Sequence, residues 1–358
     1  MKIILITLRA DYGGGPLHVD TIINNISSDF EVYLACPNDQ PYFNRWQNKK
    51  IVNKIYELPH RNFSIKKLFG LNRFIQENQI SIIHSHGKGA GIYSRLLKLL
   101  NPTLKVIHTL HGFHIAKYGI IQKRIYILIE KFLALWTDKF INVSVGEKQI
   151  CLDFRIFNNL KSQVVFNGIR QTNFIKNAKD KIHLQDKIVI TTISRFDYQK
   201  NMFLAYEIAK KFKHQSNIIF IWLGDGDEKN ILEKKAKNES LNILFTGFTE
   251  DVAFYLSATD LYLSTSRWEG LPYALIEAQA LGLPIVATNV VGNNEVVLHK
   301  ENGYLFDDLE DAVKYINQLI SNDSLYHKFS LNAKHNFTDK FELQTMMHNI
   351  QNIYMEFK

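Results

Sequence analysis

The chain has 358 residues, with 43 Lys and Arg against 35 Asp and Glu for a net charge of +8, and 46% of its residues are hydrophobic. That length exceeds one typical core and suits two α/β domains, and the composition is that of a globular chain rather than a disordered or fibrous one. Only Cys36 and Cys151 occur, which implies no disulfide framework and fits a reducing cytosol, and no run approaches the roughly 20 apolar residues of a transmembrane helix.

The charge divides unevenly. Residues 1–170 hold 23 Lys and Arg against 11 Asp and Glu, a net of +12, whereas residues 171–358 are net −4. Such asymmetry points to an anionic surface or partner for the first half. No helix-turn-helix, zinc-finger or aromatic RNA-binding motif is visible, so nucleic acid is not expected and a membrane surface is the better fit.

Along the chain, Ile3–Leu8 reads as a first buried strand with no signal peptide before it. Gly13-Gly14-Gly15-Pro16 follows and leads into a helix; three glycines let the backbone bend against a ligand, or simply make a tight turn. Further apolar runs at Glu31–Cys36, Ile80–His84, Lys105–Leu110 and Lys139–Ser144 give a βαβ rhythm, hence a parallel sheet covered on both faces. Histidines cluster here: His84 and His86, then His108, His111 and His114. Spacing alone does not make them a metal site, which needs three or four converging ligands with supporting hydrogen bonds.

Two stretches mix cations with large apolar residues. One carries Arg61, Lys66, Lys67 and Arg73 among Phe63, Leu68, Phe69 and Phe74. The other carries Lys117, Lys123, Arg124 and Lys131 among Ile120, Ile121, Tyr126, Leu128, Phe132 and Trp136. Helices of this kind suit an anionic bilayer surface, although two core-packed helices with solvated lysines would read similarly. Asn167-Gly168 marks a turn. Residues 171–187 are polar, lysine-rich and aperiodic, and read as an interdomain linker.

The second half repeats the rhythm at Ile188–Ile193, Ile218–Leu223, Ile243–Gly247, Leu261–Ser264 and Pro284–Ala287. Just past its first strand, Arg195 offers a planar fork for phosphate oxygens and Lys200 a mobile point charge. Leu223-Gly224-Asp225-Gly226-Asp227 invites a metal reading of its two aspartates, but its glycines read better as a strand-end turn. Ser266 to Glu277 is the most informative string: Glu269 and Gly270 precede a small, apolar helix that Gly282 and Pro284 stop, with Glu277 eight residues after Glu269. Free N–H groups at such a helix start attract phosphate, and the two glutamates suit sugar or ribose hydroxyls. Asn336 to Lys358 has the spacing of an amphipathic helix.

The Ser266–Pro284 string, the Arg195…Lys200-Asn201 pattern, His111-Gly112 and Asn167-Gly168 together resemble the retaining family 4 (group 1) glycosyltransferases of GT-B fold, over most of the chain and in the same order. The resemblance implies an α/β architecture of two Rossmann-like parallel-sheet domains facing across a cleft that holds the site. Residues 1–170 would form the acceptor-side domain, 171–187 the linker and 188–335 the donor domain, with helix 336–358 crossing back. It implies transfer of a hexosyl or N-acetylhexosaminyl group from a UDP-sugar to a saccharide or polyprenyl-diphosphate-linked acceptor in envelope glycan synthesis, without metal or other cofactor. The enzyme would lie in the cytoplasm, peripheral on the inner face of the membrane.

By the same resemblance, Gly14 and Gly15 lie beside the diphosphate, and Gly224 belongs to a turn near the nucleotide. Backbone groups at Phe248 read the nucleobase, and His111 contacts the transferred sugar near its C6 oxygen. Arg195, Lys200 and the helix start near Gly270–Leu271 stabilise the departing diphosphate; Glu269 holds donor-sugar hydroxyls and Glu277 the ribose. Val291-Gly292-Asn293-Asn294-Glu295 departs from the family's usual Gly-Gly-x-Pro-Glu at Val291 and Asn294. A non-catalytic nucleotide-sugar-binding subunit and a sugar-nucleotide epimerase of the same fold are the alternatives. The Glu269/Glu277 string speaks against a non-transferring epimerase, and a binding subunit would show donor affinity without acceptor-dependent nucleotide release.

Overall fold

A computed structural model describes residues 1–113 and 118–358, so His114 and Lys117 lie outside the described residues. The chain forms two compact units: Met1–Asn167 with Leu343–Lys358, and Gly168–Glu342. Among the described residues no helix is long and apolar enough to cross a membrane.

The first unit is built on a parallel sheet of seven strands, β1 (Lys2–Thr7), β2 (Glu31–Cys36), β3 (Val52–Glu57), β4 (Ile82–His86), β5 (Lys105–Thr109), β6 (Lys139–Asn142) and β7 (Ser162–Val164), in the order β3-β2-β1-β4-β5-β6-β7. Ile3, Ile4, Leu5 and Ile6 are all fully buried. Successive side chains point to opposite faces, so both faces of this strand are covered, as a parallel sheet requires. Chain order reverses between β1 and β4, where Thr7 pairs with His86, and ligands of such sheets bind outside the strand ends at this reversal. The helix Leu343–Met355 completes the unit by burying Leu343, Met346, Met347, Ile350, Ile353 and Tyr354 in the cluster that holds Ile3 and Leu5. Each such side chain contributes roughly 1.5–3 kcal/mol, so the helix is integral to this core.

The second unit has six parallel strands, β8 (Ile188–Ile193), β9 (Ile218–Leu223), β10 (Ile243–Gly247), β11 (Leu261–Ser264), β12 (Ile285–Thr288) and β13 (Gly303–Phe306), in the order β10-β9-β8-β11-β12-β13. Its reversal lies between β8 and β11, so Arg195 and Glu269 both follow strands that flank that point.

Residues 171–187 are not a free linker but the opening of the second unit. Gln171 Nε2 donates to the Ala280 carbonyl (2.8 Å), and Lys179 pairs with Asp260 (2.5 Å). Leu184 is buried beside Val189 and Ile221. The tail read as one helix is two: Asp323–Lys340 belongs to the second unit and only Leu343–Lys358 to the first. The break follows from backbone pairing, since Ile169 N–H donates to the Phe341 carbonyl (3.0 Å) and Ile169 bridges Glu342.

Candidate active site

In the second unit the loop after β8 and the loop after β11 are laced together. Arg267 N–H donates to the Gln199 carbonyl (2.8 Å), Gln199 Nε2 to the Trp268 carbonyl (3.1 Å) and Thr265 Oγ1 to the Lys200 carbonyl (3.1 Å). The Arg267 guanidinium stacks over Tyr198 and donates to Asn201 Oδ1 (2.7 Å). This lacing brings Lys200 Nζ to 2.5 Å from Glu269 Oε1, which also accepts from Ser266 Oγ (2.6 Å). Glu269 is only 8% exposed, and a carboxylate so placed needs those partners. Both bonds fall on Oε1, and Oε2 makes none within the described residues.

Arg195, nearly half exposed, pairs with Asp197 (3.0 Å) and donates to Gln199 Oε1 (3.3 Å). Beneath it the glycine turn is a backbone contact. Gly224 has φ +129°, and a Cβ there would collide with the Ser194 carbonyl; a Cβ at Gly226 would lie 2.6 Å from the Phe196 carbonyl oxygen. These glycines let the 224–226 turn pack directly against residues 194–196. Asp225 Oδ1 accepts from the Gly226 N–H (2.8 Å). Phe248 follows β10 and is half exposed, next to Gly247, whose carbonyl accepts from the Gly224 N–H (2.8 Å).

The helix Tyr273–Ala280 begins at Pro272, which caps it without a side-chain bond. Gly270 and Leu271 form the turn before it. Gly292, at φ +90°, packs against that turn: its Cβ would lie 2.7 Å from the Gly270 carbonyl oxygen and 2.9 Å from Glu269 Cβ. The glycine that survives in the departing motif is thus the one that close approach requires. The Glu277 carboxyl makes no side-chain hydrogen bond within the described residues, and desolvation pushes it up to about 7. Tyr262, whose hydroxyl bridges the N–H and carbonyl of Ile193, feels both Glu269 and Glu277.

The first unit assembles a different group. The helix Gly14–Asn25 starts at the glycine loop, and a Cβ at Gly15 would meet nothing within 4 Å. Packing inside the chain therefore does not require glycine there. His18 from that helix, His86 from the end of β4 and His111 after β5 offer ring nitrogens within 4.8 Å of one another. His86 Nδ1 and His111 Nε2 share a hydrogen bond (3.1 Å), and His18 Nδ1 one with Asn167 Oδ1 (3.0 Å). Burial holds all three below the usual imidazole range, His18 at about 4, so they are neutral at pH 7. Neutral imidazoles are also the form that ligates metals.

The structure thus brings His18, absent from the sequence reading, to His86 and His111. His84 and His108 are spent elsewhere: His84 lies between Tyr354 Oη (2.6 Å) and Thr109 Oγ1 (2.8 Å), and His108 Nδ1 meets Ser85 Oγ (2.9 Å). His111 has φ +58°, an unusual conformation for a residue with a Cβ, and the next residue, Gly112, donates its N–H to Glu147. Glu147, buried, also accepts from Val143 N–H (2.8 Å) and so fixes the turn that aims His111. Glu147 had no signal beyond Ser144, which caps its helix. Asn167, whose direct role in the sequence is that of a turn residue, orients His18 with its side chain.

The model for glycosyl transferases group 1 matches residues 173–336 and that for glycosyltransferase family 4 matches residues 12–172. A UDP-Gal:alpha-D-GlcNAc-diphosphoundecaprenol alpha-1,3-galactosyltransferase of Escherichia coli is 30% identical over 83% of this chain and 81% of its own. An O-antigen biosynthesis glycosyltransferase of Escherichia coli, WbnH, is 27% identical over 93% of this chain and 94% of its own. The crystal structure of Anabaena Alr3699/HepE in complex with UDP and glucose superposes with a TM-score of 0.86 at 16% identity, covering 99% of this chain and all of that one. Two parallel α/β units with their charged and histidine clusters at sheet reversals, and matches spanning both units, place this chain in the family 4 (group 1) glycosyltransferases of GT-B fold.

Proposed function

We propose that the chain transfers a hexosyl or N-acetylhexosaminyl group from a UDP-sugar to a saccharide or polyprenyl-diphosphate-linked saccharide during envelope glycan assembly, with retention and without a metal ion. The observation that carries this reading is the Arg195–Lys200–Glu269 constellation at the β8/β11 reversal. Its cations are matched by carboxylates that a diphosphate would replace as partners. The Escherichia coli relative's name, with its UDP-galactose donor and diphosphoundecaprenol acceptor, supports the choice of donor and acceptor class.

In this reading Lys200 and Arg195 turn from Glu269 and Asp197 to the diphosphate, joined by the helix start at Gly270–Leu271 and by the Gly14–Gly15 loop. Glu269 Oε2 accepts from a donor-sugar hydroxyl and Glu277 from the ribose, which draws Glu277 to its ionised form. Backbone groups at Phe248 read the base beside the Gly224 turn. His111 donates or accepts at the sugar's C6 oxygen as a neutral ring. The anomeric C–O bond breaks as negative charge gathers on the diphosphate. The acceptor oxygen bonds to the anomeric carbon on the same face, and its proton passes to the departing phosphate. No side chain is needed as a nucleophile.

The test is acceptor-dependent UDP release from a panel of UDP-sugars, with and without EDTA, and the anomeric configuration of the product by NMR. Donor binding without any acceptor-dependent release would favour a binding subunit. Loss of turnover in EDTA would overturn metal independence, and an inverted product would overturn retention.

A further inference from the structure

The helix Ile120–Leu133 carries its apolar residues on the wrong side for a core. Ile120, Ile121, Ile125, Leu128, Ile129 and Phe132 are between 47% and 75% exposed, and Leu135 in the turn that follows is 67% exposed. Residues 121, 125, 128 and 132 recur at steps of four, three and four, which places them on one stripe. The opposite side already satisfies the core with Tyr126, Glu130 and Leu133. The stripe is therefore additional to what folding uses.

The charges on this helix are one-sided as well. Lys123, Arg124 and Lys131 are its cations, and its single acid, Glu130, is buried in an ion pair with Arg95 (2.8 Å). The surface that remains is apolar and basic. More apolar ground adjoins it: the helix Lys88–Leu100 packs on the turn Ala134–Trp136 and ends in exposed Leu99 and Leu100. The turn Asn159–Lys161, tied to Thr137 by Lys161 Nζ (3.1 Å), displays Leu160 at 87% exposure.

The helix Ile65–Glu77 of the other basic and apolar stretch also buries three residues, Leu68, Leu71 and Ile75, but exposes only Ile65 and Phe69 of its large apolar residues, against six on Ile120–Leu133.

We propose that the stripe Ile121, Ile125, Leu128 and Phe132, with Leu135, is the face on which the protein docks to an anionic lipid bilayer. This deepens the reading of a lipid-linked acceptor and rests on it. A helix of 14 residues spans about 21 Å, too short for a hydrocarbon core of about 30 Å but suited to lying in the headgroup layer. The stripe enters the acyl boundary while Arg124 and its neighbours meet lipid phosphates. A second copy of the chain is the poorer occupant. Its own basic residues would be brought onto an equally basic surface, and these few residues fall short of the roughly 20–30 per side that a stable interface uses.

The experiment is co-sedimentation of the full chain with phosphatidylethanolamine vesicles containing one quarter phosphatidylglycerol, against phosphatidylcholine vesicles, at low and high salt. Wild type is expected to partition onto the anionic vesicles, and Ile121→Glu/Leu128→Glu to lower that partition at least about tenfold. Arg124→Glu/Lys131→Glu is expected to remove the salt-dependent part. All three proteins should keep the same melting temperature and the same stabilisation by UDP, because Ile121, Arg124 and Leu128 are exposed and Lys131 lies outside the buried core. Equal partition of wild type and the Ile121/Leu128 variant overturns the proposal, as does absence of wild-type binding. A wild-type dimer that the variant dissociates, with no vesicle uptake by either, assigns the stripe to self-association and also overturns it. A UDP response without vesicle binding sinks docking alone; vesicle binding without a UDP response sinks the donor reading alone.

Discussion

The two polar clusters obey opposite electrostatic rules. In the second unit Arg195 and Lys200 lie in partly open surroundings, each paired with a carboxylate, Asp197 and the buried Glu269. In the first unit His18, His86 and His111 are buried and neutral, tied to one another and to Asn167 by hydrogen bonds. An ionised cluster can exchange its internal partners for a charged ligand at little net desolvation. A neutral one needs no counter-ion and is suited to reading hydroxyls. Under the function proposed above, the ionised cluster would take the diphosphate and the neutral one the sugar oxygens.

The largest effect is expected from Arg195→Ala. Removing one donor to developing charge costs on the order of 10²–10³ in turnover. Arg195 is nearly half exposed, so the melting temperature should barely move. Turnover within tenfold of wild type would remove Arg195 from the charge-stabilising role.

Lys200→Ala should differ in kind, losing turnover and also stability. It strands a carboxylate that is only 8% exposed, and the cost is on the order of 1–3 kcal/mol. Adding Glu269→Gln should return the stability and not the turnover, measured by urea denaturation beside steady-state rates. Full additivity of the two changes would mean that the ion pair carries no coupling.

Glu277→Gln sharpens the contrast through pH. The folded carboxyl is raised to about 7 from 4.5, so the unfolded chain loses its proton first. Stability is therefore lost as pH rises from 4.5 towards 7, by on the order of 2–3 kcal/mol. The variant should melt higher than wild type at pH 8, match it near pH 4.5 and bind UDP more weakly. A lower melting temperature at pH 8 would contradict the buried-carboxyl account.

The smallest effect is expected from acid on the first unit. Its histidines are lowered in the fold, so the unfolded chain binds more protons below pH 6.5, and stability falls as pH drops from 6.5 towards the folded values. Hydrogen exchange at pH 5 against pH 7 should show faster opening, corrected for intrinsic rates, in β4 and the helix Leu343–Met355. These are joined through His84 and Tyr354. Equal loss of protection in β8 and β11 would mean that the histidines do not set the difference.

The central strands were legible because a covered parallel sheet demands unbroken apolar runs such as Ile3–Ile6, and that signal needs no partner to be seen. The strands that went unread, β3, β7 and β13, are all sheet edges. Val52–Glu57 carries Asn53 and Lys54, and Ser162–Val164 has three residues, so half-covered edges leave little apolar pattern. Local strings also marked the residues that meet at the β8/β11 reversal: Arg195 and Lys200 after a strand, Glu269 and Gly270 before a helix.

What the sequence by itself determined is therefore the set of elements whose cause is local: buried strand runs, glycine turns, the helix start at Pro272 and the charge divided between the halves. The tertiary structure alone decided which of those groups meet. Lys200 reaches Glu269 across 69 residues and His18 reaches Asn167 across 149. The break at Phe341–Glu342 has neither glycine nor proline to announce it, only the backbone of Ile169 arriving from far away in the chain. The outward stripe of Ile120–Leu133 is the same case. Its spacing is that of any amphipathic helix, and only the packing of Tyr126, Glu130 and Leu133 shows which side was left uncovered.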